Sequence, residues 1–311
     1  MTDVLSDILD TVALKAAIYF RTDFFPDFGI QVPEYGHAAR FHFVVQGGCY
    51  LSLACGTSVR LQVGDLAMVP RGAPHLLSSA ETVTGEPLAD VMSQAGFSGT
   101  GPFAVGGGEP TDSCQLVCGH FTFSDGADHP LLRSIPDLFH ITAADREDHP
   151  MLEDVLRLIQ RRMFDGAPGM AASVSRLSEV LFIEALRAGI AKAPEIGRLM
   201  SAVYDPQIGK ALSLIHGDVA HDWTVEALAA AVGMSRTRFA ERFRELIGSG
   251  PIAYLADWRL QRALGLLADG TLPVKAVAHR IGYRSPAAFT RAFTERFGCS
   301  PKERRLRMGL R

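Results

Sequence analysis

At 311 residues, 47% of them hydrophobic and 21% charged, the chain has the length for two domains with separate cores and an ordinary globular composition, not a disordered or fibrous one. No run approaches the roughly 18 to 20 apolar residues of a membrane span, and Met1 to Asp10 carries acids where a signal peptide carries bases, so a cytoplasmic chain with no membrane partner is expected. The net charge of −3 hides an asymmetry: residues 205–311 hold 17 Lys and Arg against 10 Asp and Glu, a net of +7, which leaves −10 on the residues before them. A basic tail behind an acidic body points to a polyanion partner for the tail alone. Five cysteines, an odd number in a large chain, suit a reducing compartment better than a disulfide framework.

In chain order, the first 145 or so residues read as β structure. Short apolar runs at Phe41 to Val45, Ala67 to Val69 and Gln115 to Phe123 sit between clusters of Gly, Pro and Ser, and Gly96 to Ser113 reads as a long loop. The pattern changes near His149. Pro150 suits a first helical position, and Leu152, Val155, Leu156 and Ile159 recur at helical spacing. Gly166 to Gly169 breaks that helix, and a second runs from about Ala171 to Lys192, with Leu177, Val180, Leu181 and Ala188 on its apolar face. This pair can pack on the β domain, on itself or on a second subunit. Pro194 and Asp205-Pro206 mark a boundary, so the expected division is a domain over 1–192 with a helical dimerisation segment at 148–192, a linker over 193–204 and a helical domain over 205–311.

The tail repeats itself at a period of about 50 residues. Val225, Leu228, Ala229 and Val232 form one buried helical stripe, and Val274, Val277, Ala278 and Ile281 form its counterpart. Gly233 and Gly282 follow the stripes, where a helix stops and the chain turns. Ser235 and Ser285 then stand at N-cap positions of further helices that bury Phe239 and Phe243, or Phe289 and Phe293. Each second helix ends at a glycine, Gly248 or Gly298, with Pro251 or Pro301 three residues on. Helix, short turn with Gly, helix is the helix-turn-helix pattern, and two copies are far more specific than one. Basic residues attend both second helices: Arg236, Arg238, Arg242 and Arg244 in the first copy, Arg284, Arg291 and Arg296 in the second. The competing reading of the repeat is an α-helical scaffold that binds protein.

These residues, with Tyr254-Leu255, Trp258-Arg259-Leu260, Val277-Ala278-His279-Arg280-Ile281-Gly282-Tyr283 and Ser300-Pro301, resemble the AraC/XylS family of bacterial transcription regulators from about Asp205 to Arg307. One departure stands after Pro301, where the family usually has a Tyr-Arg pair and Glu303-Arg304 or Arg304-Arg305 occurs instead. The resemblance implies double-stranded DNA and RNA polymerase as partners, two recognition helices in successive major-groove segments, and activation as the usual output. Pro251 to Leu267 makes a connecting rod of roughly 25 Å, long enough to hold two readers about one DNA turn apart. By the family's pattern Arg236, Thr237, Ala240 and Glu241, with Arg238 nearby, face bases from the first recognition helix, and Ala287, Thr290 and Arg291 from the second, with Arg284 in its turn. Arginine pairs with guanine or binds phosphate, Glu241 accepts from cytosine, and Thr290 or Ala287 meets a thymine methyl.

Gly64 to His75 matches the second cupin motif, a Gly, five residues, Pro-x-Gly, two residues and His, and Gly36 followed by His42 resembles a fragment of the first. The domain therefore resembles the cupin-like sensory barrel ahead of some AraC-type regulators, and the expected fold is α+β in two domains. A metal cupin needs three or four converging ligands; His42 and His75 supply two and His120 a potential third. A barrel without metal that binds a small organic effector among these histidines is the favoured reading, with no cofactor and no catalytic residue. Cys114 and Cys118 lie about 13 Å apart along an extended strand, beyond disulfide reach, and Cys49 and Cys55 flank a hairpin. The arrangement is similar to that of regulators responsive to reactive chlorine species, which makes Cys49, Cys114 and Cys118 either oxidant-sensing thiols or inert core residues. The expected function is a DNA-binding regulator, a homodimer and not an enzyme, controlled by a signal at the barrel; the alternative is a metal-dependent cupin dioxygenase or isomerase with a DNA-binding appendage.

Overall fold

The structure, a computed structural model, describes residues 3–35, 38–98, 102–124, 126–127, 129–165, 168–189 and 194–309. The expected motif glycine Gly36, the helix breakers Gly166 and Ala167, and residues 190–193 of the expected boundary lie outside the described residues. The helices, in chain order, are α1 (Val4–Thr11), α2 (Leu88–Gln94), α3 (Pro130–Ser134), α4 (Pro150–Asp165), α5 (Met170–Gly189), α6 (Pro194–Tyr204), α7 (Ile208–Gly217), α8 (Val225–Ala231), α9 (Arg236–Ile247), α10 (Pro251–Asp269), α11 (Val274–Arg280), α12 (Pro286–Phe297) and α13 (Pro301–Gly309). Contacts divide the chain into two compact units: Lys15–Phe123 with Ile135–Ala193, and Met1–Leu14 with Ser124–Ser134 and Pro194–Arg311.

The first unit is two packed sheets. Strands β1 (Lys15–Phe24), β2 (Gly29–Val32), β3 (Ala38–Gln46), β4 (Gly48–Leu53), β5 (Ser58–Gln62), β6 (Leu66–Val69), β7 (His75–Ser78), β8 (Glu86–Pro87), β9 (Phe103–Val105), β10 (Gln115–Thr122) and β11 (Phe139–Ile141) form one sheet ordered β11-β6-β3-β10-β1-β9 and another ordered β5-β4-β7-β2-β8. Between them lies a core that includes Phe24, Ile30, Val44, Leu51, Leu61, Leu77 and Phe103. Strands β3 and β10 are largely buried along their length because both faces are covered. Val44 and Cys118 join the inner core, while Phe41 stacks on Phe121, 5.0 Å between centroids, and Phe121 packs at a tilt against Phe182 of α5. A side chain at Gly189 is impossible, since its Cβ would lie 1.7 Å from the ring of Phe139. Gly72 of the cupin motif adopts φ +63°, and a Cβ there would meet the carbonyl oxygen of Tyr35 at 2.1 Å.

Helices α4 and α5 pack on one another and α5 on the sheet, burying Leu152, Val155, Leu156, Ile159, Leu181, Phe182 and Ala188. Val180, expected on the apolar face, is exposed instead, as are Met151 and Leu158 of α4. The expected loop Gly96 to Ser113 contains β9, whose Phe103 is fully buried and which pairs in parallel with β1.

The second unit is all helix. Its first core gathers Phe239, Phe243, Tyr254 and Trp258; the second gathers Leu260, Ala263, Leu264, Leu267, Val277, Ala278, Ile281, Phe289 and Phe293. Helix α10, 19 residues or about 28 Å long, contributes to both. The observed division differs from the expected one in two ways. The stretch read as a linker is helix α6 from Pro194 on, with Leu199, Met200 and Ala202 buried. Met1–Leu14 and Ser124–Ser134, expected in the β domain, belong to the helical unit because their apolar and polar side chains find partners there. Val4, Leu5, Ile8 and Leu9 of α1 are buried, and Asp7 pairs with His216 at 2.8 Å and Arg262 at 2.9 Å. His216 in turn meets the Tyr254 hydroxyl at 2.7 Å, which His129 approaches at 3.2 Å, and stacks on Trp258 at 4.1 Å. Among the described residues no helix is long and apolar enough to cross a membrane.

Candidate nucleic-acid interface and barrel interior

Both helix-turn-helix units are assembled by the same local chemistry. Thr224 caps α8 through the amide of Ala227; Pro273 stands at the head of α11. Ser235 accepts from the Arg238 amide and Ser285 from the Ala288 amide, each opening a 12-residue helix that ends at a left-handed glycine, Gly248 at φ +85° and Gly298 at φ +69°. Phe239, Phe243, Phe289 and Phe293 are wholly buried, which fixes the opposite faces of α9 and α12 outward.

On α9 that face shows Arg236, Thr237, Arg238 and Glu241, with Ala240 half-buried beside them. A shallow groove there is lined by Arg236, Thr237, Ala240, Glu241, Arg244 and Ile252. On α12 the matching groove is lined by Pro286, Ala287, Thr290, Arg291, Thr294 and Glu295. Thr290 donates its hydroxyl back to the Pro286 carbonyl at 2.9 Å. Arg238 and Arg291 are exposed. Arg236 is held by Glu226 at 2.6 Å and Arg284 by Asp222, all four side chains well exposed, so these pairs contribute little to stability and yield readily to another anion.

Two of the arginines expected around the helices serve the fold. Arg242 is braced by Asp205 at 3.3 Å and Glu245 at 3.0 Å, and Arg296 by Asp257 at 2.6 Å. Arg259 ties the α7–α8 connection by donating to the carbonyls of Val219 and His221, both at 2.8 Å. The departure at Glu303 is a capping box: the Ser300 amide donates to the Glu303 carboxylate at 2.7 Å while the Glu303 amide donates to the Ser300 hydroxyl at 3.2 Å.

In the β unit, His42 and His75 come together, and Cys118, expected as a redox thiol, joins them. His75 Nδ1 lies 2.9 Å from the Ala73 carbonyl, which can only accept, so Nδ1 carries the proton and Nε2 the lone pair. His42 Nε2, 2.9 Å from that lone pair, must then donate to it. The remaining His42 nitrogen, Nδ1, is therefore the acceptor for the Cys118 thiol at 3.2 Å. Burial first, then the charges of His75 and Arg40, hold His42 far below the ordinary imidazole range; burial brings His75 down to about 4. Burial pushes the Cys118 thiol up. The relay is neutral from end to end.

Both nitrogens of His42 are thus engaged, and among the described residues no group of three or more His, Cys, Asp or Glu side chains is arranged for a metal ion. The residues do not fit the metal of a metal cupin. His120 stands one pleat on from Cys118, half-buried, opposite Arg40 in the ladder. Cys49 and Cys114 share a thiol hydrogen bond, which with burial pushes Cys49 up; Cys114, receiving that bond and the Gly48 amide, sits lower. Cys55 is exposed at the hairpin tip. A narrow, mostly apolar cavity opens beside the relay, lined by Thr22, Phe24, Ile30, Arg40, His42 and Cys118, with Phe103 and Leu77 also in its wall. Arg40, Thr22 and Cys118 were not legible as lining residues; the period-2 alternation that puts Arg40, His42 and Val44 on one face was the available signal.

Two capped helix-turn-helix units sharing one long helix define a DNA-binding protein of the helix-turn-helix class. The cupin family matches residues 3–191 and the helix-turn-helix domain family residues 228–307. The chain is 30% identical over 311 residues to the HTH-type transcriptional regulator AlkR of Acinetobacter baylyi (strain ATCC 33305 / BD413 / ADP1), covering 97% of this chain and 99% of that protein. It is 28% identical over 270 residues to the RCS-specific HTH-type transcriptional activator RclR of Escherichia coli (strain K12), covering 86% and 84%. Among solved structures, the DNA-binding domain of AdpA in complex with a target DNA is 36% identical, spans 33% of this chain and 91% of that one, and has a TM-score of 0.32. The chain belongs to the AraC-type transcription regulators with an N-terminal cupin domain, and it is a sequence-specific DNA-binding transcription regulator.

Proposed function

We propose that this regulator reads its operator through the exposed faces of α9 and α12, and that a small-molecule or oxidant signal received in the cupin barrel sets its output, which is activation in concert with RNA polymerase. The supporting observation is that two equivalently capped helices each bury a Phe pair and turn a short polar or basic face outward. In this reading Arg236, Thr237, Arg238, Ala240 and Glu241 work from the first helix and Arg284, Ala287, Thr290 and Arg291 from the second. Thr290, its hydroxyl tied back to the helix, offers its methyl to a thymine. The exposed pairs of Arg236 and Arg284 exchange carboxylate for phosphate on binding. The barrel acts as a sensor and not as an enzyme, with His42, His75 and His120 around its effector space and Cys49, Cys114 and Cys118 as its oxidant-sensitive thiols. The protein works in the cytoplasm as a homodimer, for which Met151, Leu158 and Val180 on α4 and α5 provide an exposed apolar face. Activation agrees with the printed name of the E. coli relative.

Selection of bound fragments from random DNA, followed by titration of wild type and Arg291→Ala on the selected site and on random DNA, tests the reading. Arg291→Ala weakens the selected site by about 1–3 kcal/mol and random DNA much less. Equal loss on both moves Arg291 to the backbone.

A further inference from the structure

The barrel holds a thiol with its base already in place and a cavity beside it. We propose that Cys118 is a nucleophile for small α,β-unsaturated carbonyl compounds that enter the barrel cavity, so that the signal is a covalent adduct. This rests on the reading of the barrel as a sensor and names the chemistry of what it senses.

Three observations carry the proposal. First, the tautomers are dictated: the Ala73 carbonyl sets His75, His75 sets His42, and His42 Nδ1 faces the Cys118 sulfur at 3.2 Å with its lone pair. A base oriented by a second hydrogen-bonded group and aimed at a nucleophile is the arrangement that activates thiols and hydroxyls in group-transfer sites. Second, Cys118 and His42 line one narrow cavity of about 30 Å³ whose walls are Phe24, Ile30, Leu77 and Phe103, so an uncharged organic molecule enters only as these apolar side chains give way. Third, Arg40 lines the same cavity, with its guanidinium 3.7 Å over the Tyr35 ring. A cation on the cavity wall stabilises the negative charge that a carbonyl oxygen gathers during addition.

The step balances without an oxidant. His42 Nδ1 takes the Cys118 proton as the sulfur forms a bond to the β-carbon. The electrons of the C=C bond move to the carbonyl oxygen as an enolate, beside Arg40. The imidazolium then returns the proton to the α-carbon, leaving a thioether and the original His42 tautomer. Because burial keeps both partners neutral at rest, the proton leaves only when carbon accepts the sulfur electrons. His75 is a positioning residue: it touches nothing but His42 and the Ala73 carbonyl in this relay.

The full-length chain is treated with methyl vinyl ketone between pH 6.5 and 8.5 and followed by intact mass and peptide mapping, with exposed Cys55 as the internal comparator. Cys118 is expected to acquire one adduct at a rate nearly flat across this range, because neutral His42 is present throughout, while Cys55 speeds up several-fold as its thiolate fraction rises. His42→Gln slows Cys118 at pH 7 by at least about tenfold and gives it the slope of Cys55; His75→Asn slows it less and keeps the flat profile. Cys118 untouched while Cys55 reacts, or Cys118 climbing with pH like Cys55 in the wild type, overturns the proposal, and these wild-type results decide even if a variant fails to fold. A parallel gel-shift of the adduct on operator DNA tests the sensor reading separately: an adduct that leaves affinity and transcription unchanged supports the nucleophile and refutes its place in the sensor.

Discussion

At the scale of single residues, the two units treat their polar groups differently. On the outward faces of α9 and α12 the polar side chains are exposed and loosely paired, whereas in the barrel His42, His75 and Cys118 are buried and hydrogen-bonded in series. Burial has a consequence in pH. His75 is held down to about 4 and His42 well below its ordinary range, so both stay neutral in the folded chain while the unfolded chain takes up protons below about 6.5. The stability their neutrality confers is whole above that pH and declines as the pH falls toward 4, by on the order of 3 kcal/mol for His75. Urea unfolding followed by backbone circular dichroism is expected to show lower midpoints at pH 5 than at pH 7, with a shallower decline in His75→Asn; identical slopes in the two proteins contradict the assignment. Sequence singled out His42 and His75 through the cupin spacing, and Cys118 only as a thiol. Their convergence depends on β3, β7 and β10 presenting one face each to a common interior, and no local pattern reports which strands are neighbours.

At the scale of elements, the helix-turn-helix copies were the most legible part of the chain, since every signal is local: a stripe, a glycine, a serine cap, a phenylalanine pair. Those caps have measurable weight. Ser285→Ala is expected to destabilise the helical unit by about 1 kcal/mol, as loss of an N-cap does, with Ser285→Gly nearly neutral; a neutral alanine would mean that Pro286 alone sets the start of α12. Helix α6 looks like a linker in the sequence because Pro194 and Asp205-Pro206 resemble a boundary, although Pro at a first helical turn starts helices as readily as it ends them. Placement of α1 was invisible for another reason. Its partners, His216 and Arg262, lie more than two hundred residues away along the chain, and only the folded unit brings them to Asp7. Asp7→Ala leaves a buried imidazole and a guanidinium without their carboxylate and is expected to cost about 1–3 kcal/mol in thermal or urea unfolding. Asp7→Asn, which retains an acceptor for one of them, recovers part of that loss; an unaffected alanine variant would show that apolar burial alone docks α1.

At the scale of the whole molecule, a barrel with a neutral Cys–His–His relay and a helical unit with two helix-turn-helix motifs occupy one chain, and the segments Met1–Leu14 and Ser124–Ser134 run directly into β1 and out of β10 while belonging to the helical unit. The two-domain α+β architecture was readable from the change in periodicity near residue 149 and the charge asymmetry, because each domain has its own repeat length and its own charge. The interleaving of the chain between the units was not, since it follows from long-range packing. The central claim is that α9 and α12, carried on the 19-residue α10, enter neighbouring turns of one duplex. Hydroxyl-radical footprinting of the full-length protein on a selected site tests it most directly. Two protected segments centred about 10 base pairs apart on one face of the DNA, within a site of about 20 base pairs and fading steeply as salt rises, are predicted. A single protected segment, or none at low ionic strength, would contradict it.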